Sequence, residues 1–157
     1  MNTRLTIRIT ALTLLALIVG ASTGLLTATA IPTWYAGLNK PAFNPPNWVF
    51  GPVWTVLYVL MGMAGGLVWS QDRTPERDRA MSAWVLQLAL NALWTVLFFG
   101  LRSPLLALVE IVALLAAIRW CMARFQDVHP WAHHLLWPYL AWVGFATVLT
   151  AAIVGMN

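Results

Sequence analysis

Charge is what this chain has least of. Lys and Arg number 9 and Asp and Glu 5, so charged residues are 9% of the 157, against roughly 25% in an ordinary soluble domain. A surface that poor in charge excludes a soluble globular protein. Cysteine is scarcer still: Cys121 stands alone, which excludes an intrachain disulfide and a metal site built on paired thiolates. The sequence also lacks a Ser/His/Asp set, a glycine-rich phosphate loop and metal-ligand spacing, so no hydrolytic, phosphoryl-transfer or metal chemistry is indicated. The net charge of +4 and pI near 10 would point a soluble chain toward nucleic acid. Here the basic residues sit in the connections between apolar runs, where topology explains them, and no nucleic-acid partner is expected.

What remains is hydrocarbon. Hydrophobic residues are 61% of the chain and the mean hydropathy is +0.75. At about 20 residues per membrane span, the uncharged runs divide the chain into five expected helices, at about 9–30, 48–70, 80–101, 104–124 and 131–155. The expected fold is therefore an all-α integral membrane bundle, a single domain over 1–157, with a structured loop between its first two helices. Only Glu110 places a carboxylate inside a span, which makes it a functional candidate by default, with a hydrogen-bonded structural role equally open. Gly100, Arg102, Ser103 and Pro104 form the turn between the third and fourth spans. Residues 71–79 hold six of the fourteen charged residues and form the one strongly hydrated loop.

Arg4 and Arg8 before an apolar run, with Ala28-Thr29-Ala30 after it, resemble a secretory signal. The run from 9 to 26 exceeds the ~7–15 residues of a cleavable core and is expected to stay as a span; mature protein beginning at Ile31 would overturn this. Loop charges set the orientation. Arg4, Arg8, Arg73, Arg77, Arg79, Arg119 and Arg124 fall on one side and only Lys40 and Arg102 on the other. The positive-inside rule then predicts a cytoplasmic N-terminus and an external C-terminus, in a bacterial cell membrane.

The connection 31–47 carries Pro32, Pro41, Pro45 and Pro46, which fix backbone torsions and make it a stiff candidate lid. Its Trp34 and Tyr35, like Trp48, also suit an interfacial aromatic belt. Helical spacing gathers other residues into stripes: Trp54, Tyr58, Met61, Gly62 and Gly65 on the second helix, Gln87, Asn91 and Trp94 on the third, and Tyr139, Trp142, Ala146 and Leu149 on the fifth. These faces can converge on a pocket. Equally, Gln87 and Asn91 can serve as hydrogen-bonded links between helices, with the small residues allowing close packing.

The motifs Trp34-Tyr35-x-x-Leu38-x-Lys40-Pro41, Pro45-Pro46-x-Trp48-x-Phe50 and Pro52-Val53-Trp54-Thr55-x-Leu57-Tyr58 resemble the tryptophan-rich sensory proteins of the TspO/MBR family, relatives of the mitochondrial translocator protein once called the peripheral benzodiazepine receptor. Gln87-Leu88-x-Leu90-Asn91-x-x-Trp94, Phe98-Phe99-Gly100 and Pro138-Tyr139-Leu140-x-Trp142-x-x-Phe145-Ala146 continue the likeness over nearly the whole chain, in order. The resemblance implies a five-helix bundle, commonly a homodimer, whose pocket under the first loop binds porphyrins such as protoporphyrin IX or haem, sterols and isoquinoline ligands. Carried over by motif, the ligand-binding residues are Trp34, Phe50, Trp54, Tyr58, Asn91, Trp142 and Ala146, with no required cofactor and no metal. Some members are reported to degrade protoporphyrin in light, implicating two tryptophans that match Trp54 and Trp142. Dimerisation in the family often uses helix three, where Ala83, Ala89 and Ala92 would permit close approach.

There are departures. Ala42 stands where relatives often have another tryptophan, which removes a stacking surface. Leu149-Thr150 replaces a Leu-Asn pair, and no basic residue follows Tyr139, so the short pattern proposed for cholesterol is missing there. Sterol is not expected as the physiological ligand. His129, His133 and His134 fall across the membrane from the loop and are not expected to bind metal.

Three functions remain in play. The first is a binding protein that senses, sequesters or moves tetrapyrroles, through Trp54 and Trp142 as stacking faces and Tyr58 and Asn91 as hydrogen-bonding groups. The second is a light- and oxygen-dependent enzyme acting on porphyrin. The third is a structural subunit that binds another membrane protein.

Overall fold

A computed structural model describes residues 3–157; the first two residues of the expected domain lie outside the described residues. The protein is all-helical: α1 (Thr3–Ala30), a single 3₁₀ turn (Tyr35–Gly37), α2 (Asn47–Trp69), α3 (Pro75–Thr95) running into a π-helical turn (Val96–Gly100), α4 (Pro104–Val128), α5 (Pro130–Leu135) and α6 (Trp137–Met156). With α5 and α6 taken as one span, five helical segments are long and apolar enough to cross a membrane, as an integral multi-pass protein requires.

Several helices run past the uncharged stretches that announced them. α3 begins at Pro75 rather than near residue 80, because Thr74 accepts a hydrogen bond from Arg77 N at 3.2 Å and Pro75 takes the first helical position. Glu76 and Asp78 then lie in the first turn, where the helix dipole favours anions. Much of the hydrated 71–79 loop is thus the start of a helix. α1 likewise extends back to Thr3, and Arg8 caps α2: its guanidinium donates to Trp69 O at 2.5 Å and lies 5.1 Å from the centre of the Trp69 ring. This brings the Arg4/Arg8 end of α1 to the same face as the 71–79 segment, as the charge pattern requires.

The last span is broken once. Pro138 has no N–H for the carbonyl four residues back, and the chain tightens there, Leu136 N bonding His133 O at 3.2 Å before α6 resumes. At the other face the 3–4 turn places its left-handed residue at Arg102, with φ 53°, and not at Gly100.

α1 packs most extensively against α2. A Cβ on Gly62 would overlap the main chain of Thr13, and one on Gly66 the main chain of Ile9, so only glycine allows α1 to lie this near. The indole of Trp84 fills the space beside Gly65 and donates from Nε1 to Met61 O at 2.9 Å, which satisfies a fully buried N–H and ties α3 to α2. Of the two readings of Met61, Gly62 and Gly65, a pocket face or close helix packing, packing is what the structure shows beside them. The space there is occupied by α1 and Trp84.

Candidate functional site

Beneath the first loop lies a cavity of about 510 Å³, walled by α1, α2, α3 with its π-turn, and α6. Phe50, Trp54 and Tyr58 come from successive turns of α2, and Trp142, Phe145 and Ala146 face them from α6. The rings are mutually set. Trp54 lies 5.7 Å from Tyr58 at 33°, Phe50 packs edge-on to Trp142 at 6.3 Å, and Trp142 meets Phe145 at 5.5 Å. Such spacings leave π faces free while each ring holds its neighbour in place.

Polar groups behind the rings are connected. Tyr58 donates from its hydroxyl to Asn91 Oδ1 at 2.6 Å, and Asn91 Nδ2 donates to the Tyr139 hydroxyl at 3.2 Å, so one amide links α2, α3 and α6. Asn91 is 2% exposed and does not line the cavity. It stands behind the wall, held by Tyr58 and Tyr139. Tyr58→Phe should strand Asn91 Oδ1 and cost ~1–3 kcal/mol, read as a lower unfolding temperature in detergent with ligand stacking retained. Gln87 is fully buried with neither amide atom partnered, so neither role weighed for it is met.

Trp34 is likewise placed away from the cavity. Its ring packs edge-on against Phe98 at 5.5 Å, in a satellite cluster with Tyr35 and Phe99, and it is absent from the cavity wall. The loop turns it sideways onto the π-turn. Tyr35, its neighbour, does line the cavity. Trp48, 75% exposed at the start of α2, has the placement of an interfacial aromatic, as have Trp131 and Trp137 at the opposite face.

The wall that pattern reading missed is α1. Gly20, Thr23, Gly24 and Thr27 line the cavity at i, i+3, i+4 and i+7, and the Tyr58 ring rests directly against Gly20. Their signal was a stripe of small residues at helical spacing. Thr95 and Phe98 extend the lining below the loop.

The loop is fastened at three points. Tyr35 donates to Asn44 Oδ1 at 2.7 Å, and burial pushes its phenol up to about 12, so it stays protonated at any physiological pH. Lys40 Nζ donates to the carbonyls of Tyr35, Ala36 and Leu38 at 2.8, 3.3 and 2.8 Å. Asn39 and Asn157 clasp reciprocally, Asn39 N to Asn157 Oδ1 and Asn157 Nδ2 to Asn39 O, both 2.9 Å, which ties the loop to the end of α6. Asn157→Ala removes both bonds. The expected loss is about 1 kcal/mol or less, given their exposure, seen as faster hydrogen exchange confined to residues 35–44.

Elsewhere the candidates disperse. Among the described residues no cluster of His, Cys, Asp or Glu is suited to a metal, and His133 is engaged with Met122 O at 2.9 Å. Glu110 is buried in α4 without a hydrogen-bond partner and does not line the cavity.

A profile of the TspO/MBR family matches residues 11–156. The chain is 41% identical over 151 residues to the tryptophan-rich protein TspO of Archaeoglobus fulgidus, covering 96% of this chain and 97% of that one. It is 41% identical over 122 residues to the human translocator protein, covering 76% and 72%. With the tryptophan-rich sensory protein of Cereibacter sphaeroides it shares 37% over 124 residues, covering 79% and 77%. By the extent of these matches and by its five-span architecture, the chain belongs to the TspO/MBR family.

Proposed function

We propose that the protein is a membrane-embedded binding protein for flat hydrophobic molecules of the tetrapyrrole class, protoporphyrin IX or haem, which it senses, sequesters or moves. The observation that carries the reading is the pairing of Trp54 and Trp142 on one cavity wall with Tyr58 and Ala146, at a size within the ~300–1,000 Å³ of small-molecule sites. The names of the relatives, translocator and sensory protein, favour binding over catalysis. Saturable quenching of intrinsic fluorescence by protoporphyrin tests it directly; quenching that rises linearly with no plateau counts against it.

One observation favours a second reading. Both tryptophans that the family likeness connects with photochemistry line the same cavity, within reach of one guest. Illuminating purified protein with protoporphyrin in air distinguishes the two: a discrete product, missing from Trp→Phe controls, supports turnover, and featureless bleaching supports binding alone.

The setting proposed is a bacterial cell membrane with a cytoplasmic N-terminus, since the Arg-rich loops gather at the face opposite the cavity loop. A homodimer through the outer face of α3 is part of the reading. Ala83 is fully buried and does not belong to that face, whereas Ala89 lies exposed with Val85 and Leu93 one turn to either side. Ala89→Cys is expected to cross-link two protomers on mild oxidation in native membranes, and Cys121, fully buried, will not compete.

A further inference from the structure

The cavity wall contains no formal charge. Among the described residues that line it there is no Asp, Glu, Lys, Arg or His, and its only titratable groups are the phenols of Tyr35 and Tyr58. Both phenol hydrogens are already committed, to Asn44 and Asn91. The hydroxyls of Thr23, Thr55 and Thr150 also donate to carbonyls of their own helices. What these groups have left are lone pairs, which attract N–H and O–H and repel anions; the indole N–H of Trp94, which has no partner, and the other neutral donors of the wall can hydrogen-bond a guest but supply no counter-charge.

The basic residue of the covering loop is likewise engaged. An ammonium has three hydrogens, and Lys40 has three carbonyl acceptors, with its Nζ also 5.0 Å over the Tyr35 ring. It can meet a guest's carboxylate only by releasing the loop. A carboxylate taken into this bundle would lose its water and gain no counter-charge, the costliest form of burial.

The geometry points to selection by charge: the cavity takes flat guests whose inserted portion is uncharged, so a tetrapyrrole enters by its macrocycle with its acid groups esterified, protonated or held at the mouth. This rests on the tetrapyrrole reading above and narrows it. The same condition applies to any flat guest, which makes it separable from that reading.

The test uses two acid/ester pairs, protoporphyrin IX with its dimethyl ester and pyrene-1-carboxylate with its methyl ester, titrated by tryptophan quenching. The proteins are the wild type, Thr55→Lys and Asn47→Lys; both positions line the cavity and are exposed, so a lysine there disturbs no packing. Esters partition more strongly into micelles, so the readout is the acid-to-ester Kd ratio of each variant relative to wild type, from which partition cancels. The wild type is expected to prefer the ester in every pair that binds, and each lysine to shift that ratio at least tenfold toward the acid. A wild-type preference for the acids, or ratios that neither lysine changes, would overturn selection by charge. If the pyrene pair behaves as expected and neither porphyrin binds, selection by charge stands and the tetrapyrrole reading falls. If the porphyrins bind with no response to the lysines, the tetrapyrrole reading stands and selection by charge falls. Saturable quenching by none of the four probes removes both.

Discussion

Gly62→Leu is expected to prevent the chain from reaching its native fold. The Cβ of any residue at Gly62 would land on the Cα and N of Thr13, and main-chain atoms inside a helix cannot step aside as a flexible side chain can. α1 and α2 would have to separate along their length. Overpacking costs ~1–3 kcal/mol where neighbours can yield and more where they cannot, so about 3 kcal/mol or more is expected for leucine here. The loss falls on the wall that Gly20 and Thr23 supply to the cavity, so ligand binding should fail along with stability. The measurement is recovery of monodisperse protein in detergent together with its unfolding temperature. Gly144→Ala is the matched control: nothing lies within 4 Å of a Cβ built there, and removing a mid-helix glycine should stabilise the protein by ~0.5–1 kcal/mol. A Gly62→Leu protein as stable as this control would show that α1 and α2 are not packed as described.

The second large effect belongs to the stacking pair. Trp54→Ala combined with Trp142→Ala should weaken protoporphyrin binding on the order of 100-fold or more, taking ~1–3 kcal/mol for each aromatic face lost, the range found for base–aromatic stacking. Neither ring is part of the fully buried core; both are half-buried and pack against it. The double variant should therefore fold, and circular dichroism with an unchanged unfolding profile would establish that it does. The single variants should each lose roughly the square root of the combined factor if the rings act independently. A larger-than-multiplicative loss would show both faces gripping one guest. Quenching that survives intact in the double variant would remove the cavity from the binding reaction.

Much of the architecture was legible because water and hydrocarbon sort residues so sharply in a membrane chain. Charge-free runs gave five spans, and the Arg8–Trp69 contact puts the start of α1 beside the end of α2, the end-to-end order that the spans imply. Helical spacing brought Trp54, Tyr58, Trp142 and Ala146 to one side of the bundle, and all four line the cavity. Helix ends were less legible, since hydropathy reports where charge stops and not where a cap such as Thr74 starts the winding. The contribution of α1 was missed because a cavity wall need not carry chemistry: Gly20, Gly24 and the threonines matter by being small. Trp34 and Asn91 show the converse. Their residue types suit a binding site, but the path of the loop turns one onto Phe98, and the hydrogen-bonding demand of two tyrosines holds the other behind the wall. Spacing along one helix cannot report what its neighbours require of a side chain.

The π-helical turn at Val96–Gly100 carries a last consequence. Leu101 N bonds Val96 O at 2.8 Å, five residues back, so α3 holds one residue more than ordinary winding would need. A surplus residue can be deleted without breaking the helix. Removing Leu97 would let the segment rewind as plain α-helix with little net rotation, because the wider π-turn already absorbs the extra residue by winding less per residue. Trp94 would keep its side of the helix, and Asn91 its two tyrosines. In an alignment of related sequences, a one-residue gap in this window would mark a relative whose third span is wound as plain α-helix to its end, with the faces before it unchanged.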